Sequence, residues 1–203
     1  MTCLRGYDLF ENICTLKDKN YNPLDKQEYK YIELSNIGKS GDITDCTTAL
    51  GEELPTRARR KVSSGNIIVS SIEGSLDSCA LVTKKYNDSL CSTGFYVVNS
   101  NKINPETLLV LFKSKPMQSL LKRSCSGTIL TAFSKTELDK IPIPLIDSET
   151  QENINAQINE SFQLKNQSEH LLEVAKRAVE IAIEEDEEAA MGYIEKEIKQ
   201  PTL

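Results

Sequence analysis

The sequence predicts an α+β protein. A mixed α/β domain with a small twisted sheet, residues 1–147, precedes a long α-helix, residues 148–203, with an acidic C-terminal end. Up to about residue 147, short runs rich in Ile, Val and Tyr alternate with Gly, Ser, Asn and Pro, as strands alternate with turns. From residue 148 to residue 191 no Gly or Pro interrupts a helix-compatible stretch.

Composition and charge support this division of the chain into two regions. The 203 residues, 39% hydrophobic and 27% charged, suffice for one sizeable domain with an appendage and exclude wholesale disorder. Residues 1–145 contain 19 basic and 16 acidic side chains, a net of +3, whereas residues 146–203 contain 5 and 14, a net of −9. The overall charge of −6 is therefore no argument against binding of nucleic acid by the first region.

Within the first region, the apolar runs predict strands and the Pro-containing starts predict helices. Asn104-Pro105 and Ser114 with Pro116 begin two short amphipathic helices, and Ser134 with Glu137 matches a capping box. The Ile-Pro-Ile-Pro-Leu segment at 141–145 must be extended, because each Pro removes an amide donor. Strands are predicted at 29–34, 66–70, 79–83 and 95–98.

The second region predicts one long helix that needs a partner helix. Ser148 and Gln151 match a capping box, and an unbroken helix over 148–191 would reach about 65 Å, too long to be covered by its own domain. The predicted seam of an antiparallel coiled coil is formed by Ile154, Ile158, Leu172, Ala175, Val179 and Ala182. The alternative is one amphipathic helix folded back on its domain. The acidic run 184–188 is interpreted as a solvated face or a frayed end.

Several classes of protein are excluded or disfavoured by what the sequence contains. No run approaches the roughly 18 apolar residues of a membrane span, and residues 1–20 do not form a signal peptide, so a cytoplasmic location is expected. The six cysteines form no Cys-x-x-Cys pair and are interpreted as small buried hydrophobes, so neither metal nor cofactor is expected. The lone histidine, His170, lies in the predicted long helix, away from any candidate nucleophile. No active site is predicted, and a nuclease core at Glu73, Asp77 and Lys84-Lys85 is disfavoured.

Basic and polar side chains in the first region are the candidate binding residues, with a solvated surface as the alternative. Arginine suits phosphate oxygens and the edge of guanine, lysine suits phosphate, and short hydroxyls add hydrogen bonds. The candidate DNA-contacting residues, which the sequence predicts to lie in loops, are Arg57, Arg59, Arg60 and Lys61, followed by Arg123, Ser126 and Thr128.

A set of short segments follows in a characteristic order along the chain. They are Tyr-Ile-Glu-Leu-Ser-Asn-Ile at 31–37 with Gly-Asp-Ile at 41–43, Val-Ser-Ser-Gly-Asn-Ile-Ile-Val-Ser at 62–70, Leu-Cys-Ser-Thr-Gly-Phe-Tyr-Val-Val at 90–98, Gly127-Thr128 with Leu138 and 141–145, and finally Gln151 and Ile154. Together they resemble the DNA-specificity subunit of type I restriction–modification systems, although that family usually has Asp in place of Asn66.

The resemblance implies a target-recognition domain that reads one half of a split site in double-stranded DNA, followed by a spacer helix. It also implies a partner methyltransferase that flips and methylates adenine, and it allows a restriction subunit that translocates DNA. The family's subunit has two such domains and two helices, whereas this sequence has room for one of each. We therefore expect a homodimer, through antiparallel packing of residues 148 to about 190, that reads a symmetric bipartite site.

Two other functions remain open at this point. One is a protein-interaction adaptor that works through its long acidic helix, with the basic segments incidental. The other is the recognition portion of a larger fused restriction–methylation enzyme. The sequence specifies neither the target bases nor whether the partner is an identical chain or a different half-subunit, because loop conformation decides which side chains reach the bases.

Overall fold

Helices and strands are interspersed up to residue 147, and the described residues after it form only helices. The computed structural model describes residues 6–127 and 131–198. The strands are β1 (Tyr7–Leu9), β2 (Cys14–Leu16), β3 (Glu28–Ile32), β4 (Thr47–Leu50), β5 (Ala58–Lys61), β6 (Ile67–Ser70), β7 (Cys79–Leu81), β8 (Leu90–Ser92), β9 (Phe95–Ser100), β10 (Cys125–Ser126), β11 (Ala132–Phe133) and β12 (Pro142–Pro144). The helices are α1 (Phe10–Ile13), α2 (Pro105–Lys113), α3 (Lys115–Ser124), α4 (Lys135–Asp139), α5 (Ser148–Glu184) and α6 (Glu187–Ile198).

The strands form two four-stranded sheets and two ribbons, where the sequence predicted one small sheet. One sheet has the order β4-β3-β8-β5 and the other β2-β9-β6-β7. Only β3 and β8 pair in parallel among the described strands. The four predicted strands are confirmed as β3, β6, β7 and β9. The α+β class is thus confirmed, with a larger share of strand pairing than the sequence indicated.

The main core lies between the two four-stranded sheets. Ile32 and Cys91 enter it from the first sheet, and Ile68, Ala80 and Val97 enter it from the second. Each of these side chains is at most 1% exposed. Burying an Ile or Val side chain contributes about 1.5–3 kcal/mol, so the two sheets stabilise one another through this cluster.

The short helices begin where the sequence predicts. Asn104, Ser114 and Ser134 each accept a hydrogen bond from the backbone N–H three residues later, which satisfies an otherwise unpaired donor in the first helical turn. Helix α2 packs on β6 and β7 and buries Leu108 and Phe112 almost completely. Helix α2 is therefore fixed to the core from the side of the second sheet.

The predicted extended segment at 141–145 is confirmed and forms a strand. β12 pairs antiparallel with β1, so that Tyr7 lies opposite Pro144 and Leu9 lies opposite Pro142. Proline has no backbone N–H to donate. It is tolerated here because this ribbon has only two strands, so no third strand beside β12 needs that hydrogen bond. The first and last strands of the domain therefore lie side by side.

Helix α5 is capped one residue earlier than predicted. The carboxylate of Asp147, and not the hydroxyl of Ser148, accepts hydrogen bonds from the N–H and the hydroxyl of Thr150, both at 2.9 Å. A carboxylate at this position also gains from the positive end of the helix dipole, which explains why Asp147 displaces Ser148. The side chain of Gln151 consequently does not complete a capping box and is free to make contacts elsewhere.

The unbroken helix predicted over 148–191 is wrong, because α5 ends at Glu184 and α6 begins at Glu187. Asp186 lies between them and accepts a hydrogen bond from the N–H of Ala189 at 2.8 Å, as an N-terminal cap. Glu180 and Glu184 raise the pKa of Arg177, and Tyr193 adds to this effect. The two helices are thus separated by Glu185 and Asp186, which belong to neither of them.

Contacts along the chain define two units, Met1–Asn155 and Ala156–Leu203. The first contains both large sheets, α2, α3 and the beginning of α5. The second contains the rest of α5 and α6. No helix among the described residues is long and apolar enough to cross a membrane.

Candidate nucleic-acid interface

The four cations at 57–61 lie on or beside a strand and not in a loop. Three of them belong to β5, which pairs antiparallel with β8 and has a register shift between Ala58 and Arg60. The polar Ala-Arg-Arg-Lys sequence gives no apolar signature, which is why this strand was not predicted. Successive side chains of a strand alternate between its faces, and a bulge redirects them further. The structure therefore separates this cluster into different environments.

Arg57 is the most exposed member of this cluster. Arg57 is exposed and Arg59 is half-buried. Their backbone carbonyls are held in place, since the N–H of Thr93 donates to Arg57 O at 2.9 Å and the N–H of Tyr21 donates to Arg59 O at 2.7 Å. An arginine on a backbone that is held in place is well suited to contact a phosphate or a base edge.

Arg60 points towards the inside of the domain. It lies opposite the fully buried Cys91, and its Nε and Nη1 atoms are buried without a hydrogen-bond partner among the described residues. The positive charge of Arg60 also contributes to lowering the pKa of Asp18. The main cause of that lowering is the hydrogen bond from Lys135. Of the four cations, Arg60 therefore has the least access to DNA.

Lys61 already has a partner within the chain. Its ammonium lies 3.0 Å from the Asp88 carboxylate and 5.1 Å from the centre of the Tyr21 ring. The hydrogen bond to Asp88 raises the pKa of Lys61. A phosphate at this position would have to compete with Asp88, so Lys61 offers less net attraction to DNA than its formal charge indicates.

A second group of cations comes together only in the folded chain. Lys30 on β3 donates to the carbonyl of Lys85 at 3.0 Å, and the ammonium groups of Lys30 and Lys85 lie 5.5 and 5.3 Å from the centre of the Tyr86 ring. The buried Tyr86 is anchored by hydrogen bonds from its hydroxyl to the carbonyls of Ile43 (3.0 Å) and Thr44 (2.7 Å). We call Lys30, Lys84 and Lys85 the lysine patch. The sequence does not indicate that Lys30 lies beside Lys85, because no spacing rule connects these two residues.

The predicted second group of contacts lies around a β-ribbon. Arg123 is exposed at the end of α3 and Ser126 is exposed on β10, which pairs with β11, whereas Thr128 lies outside the described residues. The N–H of Glu73 donates to Thr131 O at 2.9 Å, which connects the ribbon to the turn after β6. An open groove of about 380 Å³ beside the ribbon is lined by Ile72, Glu73, Gly74, Lys122 and Thr131.

The described cysteines are not activated nucleophiles. Cys14, Cys79 and Cys91 are buried, which confirms their predicted role as small hydrophobes, and Cys46 and Cys125 are half-buried. Burial raises the pKa of the Cys14 and Cys79 thiols to about 12, so both stay protonated at neutral pH. Over residues 6–127 and 131–198, no group of three His, Cys, Asp or Glu side chains is arranged to hold a metal ion.

The two faces of the second half of α5 differ in their exposure. Val174 and Ala178 are each 4% exposed, whereas Leu172 and Val179 of the predicted seam are 57% and 60% exposed. Two residues of α-helix rotate a side chain by about 200°, so Leu172 projects away from Val174. In the remainder of the predicted seam, Ala175 is exposed, and Ile154, Ile158 and Ala182 are half-buried.

Comparison with solved structures supports the fold. A chain described in work on complex assembly and conformational transition of the type I R-M system aligns at 24% identity and a TM-score of 0.64, over 91% of this chain and 47% of that chain. The HsdS subunit from Thermoanaerobacter tengcongensis gives 24% and 0.65, over 87% and 46%. The S subunit of a type I restriction-modification system from M. genitalium gives 15% and 0.57, over 87% and 44%.

At these identities the alignments show a shared fold, and the chain spans less than half the length of each of those proteins. No match was found among curated proteins. A described family also matches, since the type I restriction modification DNA specificity domain aligns with residues 7–173, most of the chain. The chain therefore belongs to the family of type I restriction–modification DNA specificity domains.

Proposed function

We propose that this chain is the non-catalytic subunit that reads DNA sequence for a type I restriction–modification complex in the cytoplasm. The observation that carries the proposal is the family match over residues 7–173, which includes both large sheets and most of α5. The subunit would direct an adenine methyltransferase, and a restriction subunit where one is present, to a bipartite site in double-stranded DNA. The partner subunits would carry out the reactions, and this chain would supply the DNA sequence specificity.

The proposed contacts with DNA use the accessible cations of unit Met1–Asn155. Arg57 and Arg59 are the first candidates for base or phosphate contacts, with Arg123 and Ser126 as a second group. The lysine patch adds three positive charges for contact with phosphate. The net charge of +3 on residues 1–145 is modest, so we expect the methyltransferase to contribute part of the affinity.

We further propose that two copies of the chain pair through α5. A family member with one recognition domain has half of a split site to read, and a second copy would supply the other half. The exposure of Leu172 and Val179 supports this pairing, because an apolar face on a helix of this length is stabilised when another helix covers it. A dimer with two-fold symmetry would read two identical half-sites in inverted orientation.

The decisive experiment is sequencing of modified bases in genomic DNA from cells that express the chain together with its methyltransferase. We expect methyladenine in a symmetric motif of two half-sites separated by a fixed gap, and we expect the motif to vanish when the chain is omitted. Methylation that does not depend on the chain would refute the proposed function. A chain-dependent but asymmetric motif would refute identical pairing and would indicate a different half-subunit as partner.

Binding of random duplex DNA separates this proposal from a protein-interaction adaptor. Binding through phosphate contacts weakens steeply as salt rises, because bound cations are released from DNA when the protein binds. We expect the purified chain to show this dependence in a fluorescence anisotropy titration. Absence of duplex binding at low salt, with or without the methyltransferase, would favour the adaptor.

A further inference from the structure

The side chain of Gln151, in the first turn of α5, uses all of its polar atoms. Its Oε1 accepts a hydrogen bond from the N–H of Asn104 at 2.8 Å. Its Nε2 donates to the carbonyls of Ile146 and Lys102, at 2.8 and 3.2 Å. A glutamine amide has a planar arrangement of donor and acceptor, so three such contacts leave little freedom for the side chain.

Asn104 completes the connection from the other side. Its Nδ2 donates to the backbone carbonyl of Gln151 at 2.9 Å, and its Oδ1 accepts from the N–H of Thr107 at 2.8 Å. One asparagine thus caps α2 and holds the first turn of α5. We call Asn104 and Gln151 the amide clamp; both residues lie within unit Met1–Asn155.

The amide clamp is not needed to start α5. Asp147 already caps that helix through Thr150, and one such cap satisfies the usual requirement of a helix N-terminus. The clamp instead connects α5 to α2, whose Leu108 and Phe112 are buried in the core. It therefore fixes the direction in which α5 starts, relative to elements that are themselves fixed.

That direction matters because of the geometry of DNA. Adding one base pair between two half-sites moves them apart by about 3.4 Å and rotates them by about a tenth of a turn. We propose that the amide clamp sets the length of the gap between the half-sites, by holding the first turn of α5 rigidly on α2. Asn104 and Gln151 are positioning residues in this proposal, which rests on the proposed function and on the pairing of two copies.

Two substitutions break the clamp without removing bulk. Gln151→Glu keeps the acceptor for the N–H of Asn104 but sets a carboxylate oxygen against the carbonyls of Lys102 and Ile146. Asn104→Asp keeps the cap on Thr107, since aspartate is a good N-cap, but loses the donor to the carbonyl of Gln151. Gln163→Glu is the matched control, because Gln163 is exposed on the same helix.

The test repeats the sequencing of modified bases with each variant. We expect both clamp variants to keep the half-site sequence but to accept gaps one base pair shorter or longer, with about tenfold weaker discrimination from the loss of one or two hydrogen bonds. Gln163→Glu should keep a single gap length. Clamp variants that melt at lower temperature yet keep the single wild-type gap would overturn the inference. A wild-type chain that directs no split motif would instead refute the proposed function.

Discussion

At the scale of single residues, neighbours in sequence have different environments in the fold. Arg57 is exposed, Arg60 has two buried guanidinium nitrogens without a partner among the described residues, and Lys61 is paired with Asp88. The alternation of β5 and its bulge cause this separation. Charge count alone could identify the cluster, but strand pairing decides which of its members can meet DNA.

Arg57 and Lys61 should therefore differ in their contributions to DNA binding. Arg57→Gln is expected to lower affinity for duplex DNA and to reduce the salt slope by about one if it contacts phosphate, or to relax specificity at one position if it reads a base. Lys61→Gln is expected to have a smaller effect, because its ammonium is already engaged by Asp88. The measurement is an anisotropy titration at several salt concentrations, with Lys196→Gln on α6 as the control. Unchanged affinity after alanine replaces all four of Arg57, Arg59, Arg60 and Lys61 would show that this cluster does not contact DNA.

The ion pair between Asp18 and Lys135 predicts a small pH dependence of stability. The hydrogen bond from Lys135 lowers the pKa of Asp18 from its ordinary value in the folded chain. Stabilisation is therefore present above that value and disappears as pH falls through the lowered pKa. We expect Asp18→Asn to reduce the free energy of unfolding by no more than about 1 kcal/mol at pH 7, because both partners are largely exposed.

Urea unfolding of wild type and Asp18→Asn at neutral and strongly acidic pH measures this effect. The difference between the two proteins should shrink as pH falls through the lowered pKa of Asp18, because the carboxyl then becomes protonated in the folded state as well. Asp25→Asn, at another exposed carboxylate, is the control. A difference that persists unchanged in acid would assign the effect to something other than the ion pair.

At the scale of elements, the sequence predicts the strands and helices that neighbouring residues indicate by an apolar run or a helix cap. The apolar runs of β3, β6, β7 and β9 and the caps of α2, α3 and α4 carry such signals, and all are confirmed. β5 and the three-residue β8 carry none, because their pairing depends on partners distant in sequence. The turn at Asp186 was missed because a capping aspartate inside an acidic run looks like a solvated helix face.

The exposed face of α5 predicts the effect of a single charge on pairing between copies. Leu172→Asp should dissociate the proposed dimer, because an unpaired carboxylate buried between helices costs several kcal/mol. Sedimentation at micromolar concentration should then show a 22.7 kDa monomer, whereas wild type is expected to sediment as a dimer.

Asn166→Asp adds the same charge at an exposed position of α5, about 120° around the helix from Leu172, and should leave the dimer intact. Circular dichroism should show unchanged helix content in both variants. A wild-type chain that sediments as a monomer at all accessible concentrations would contradict pairing through α5.

At the scale of the whole molecule, the distribution of charge matters more than its sum. The net negative charge is concentrated in residues 146–203, and the candidate contacts with DNA lie before residue 145. Composition and charge alone could indicate this division, because neither depends on which strands pair. The candidate site itself could be predicted only in part, since the lysine patch depends on β3 meeting residues 84–86 in the fold.

The pairing of β1 with β12 has a consequence for how this family could vary its targets. Because Tyr7 lies opposite Pro144, the first strand and the last strand before α5 lie side by side. The residues between β1 and β12 therefore form a unit whose two ends are adjacent. A different unit that begins and ends with two such paired strands could replace the residues between β1 and β12. Such a replacement would change the DNA sequence that is bound and would leave the cap of α5 at Asp147 unchanged.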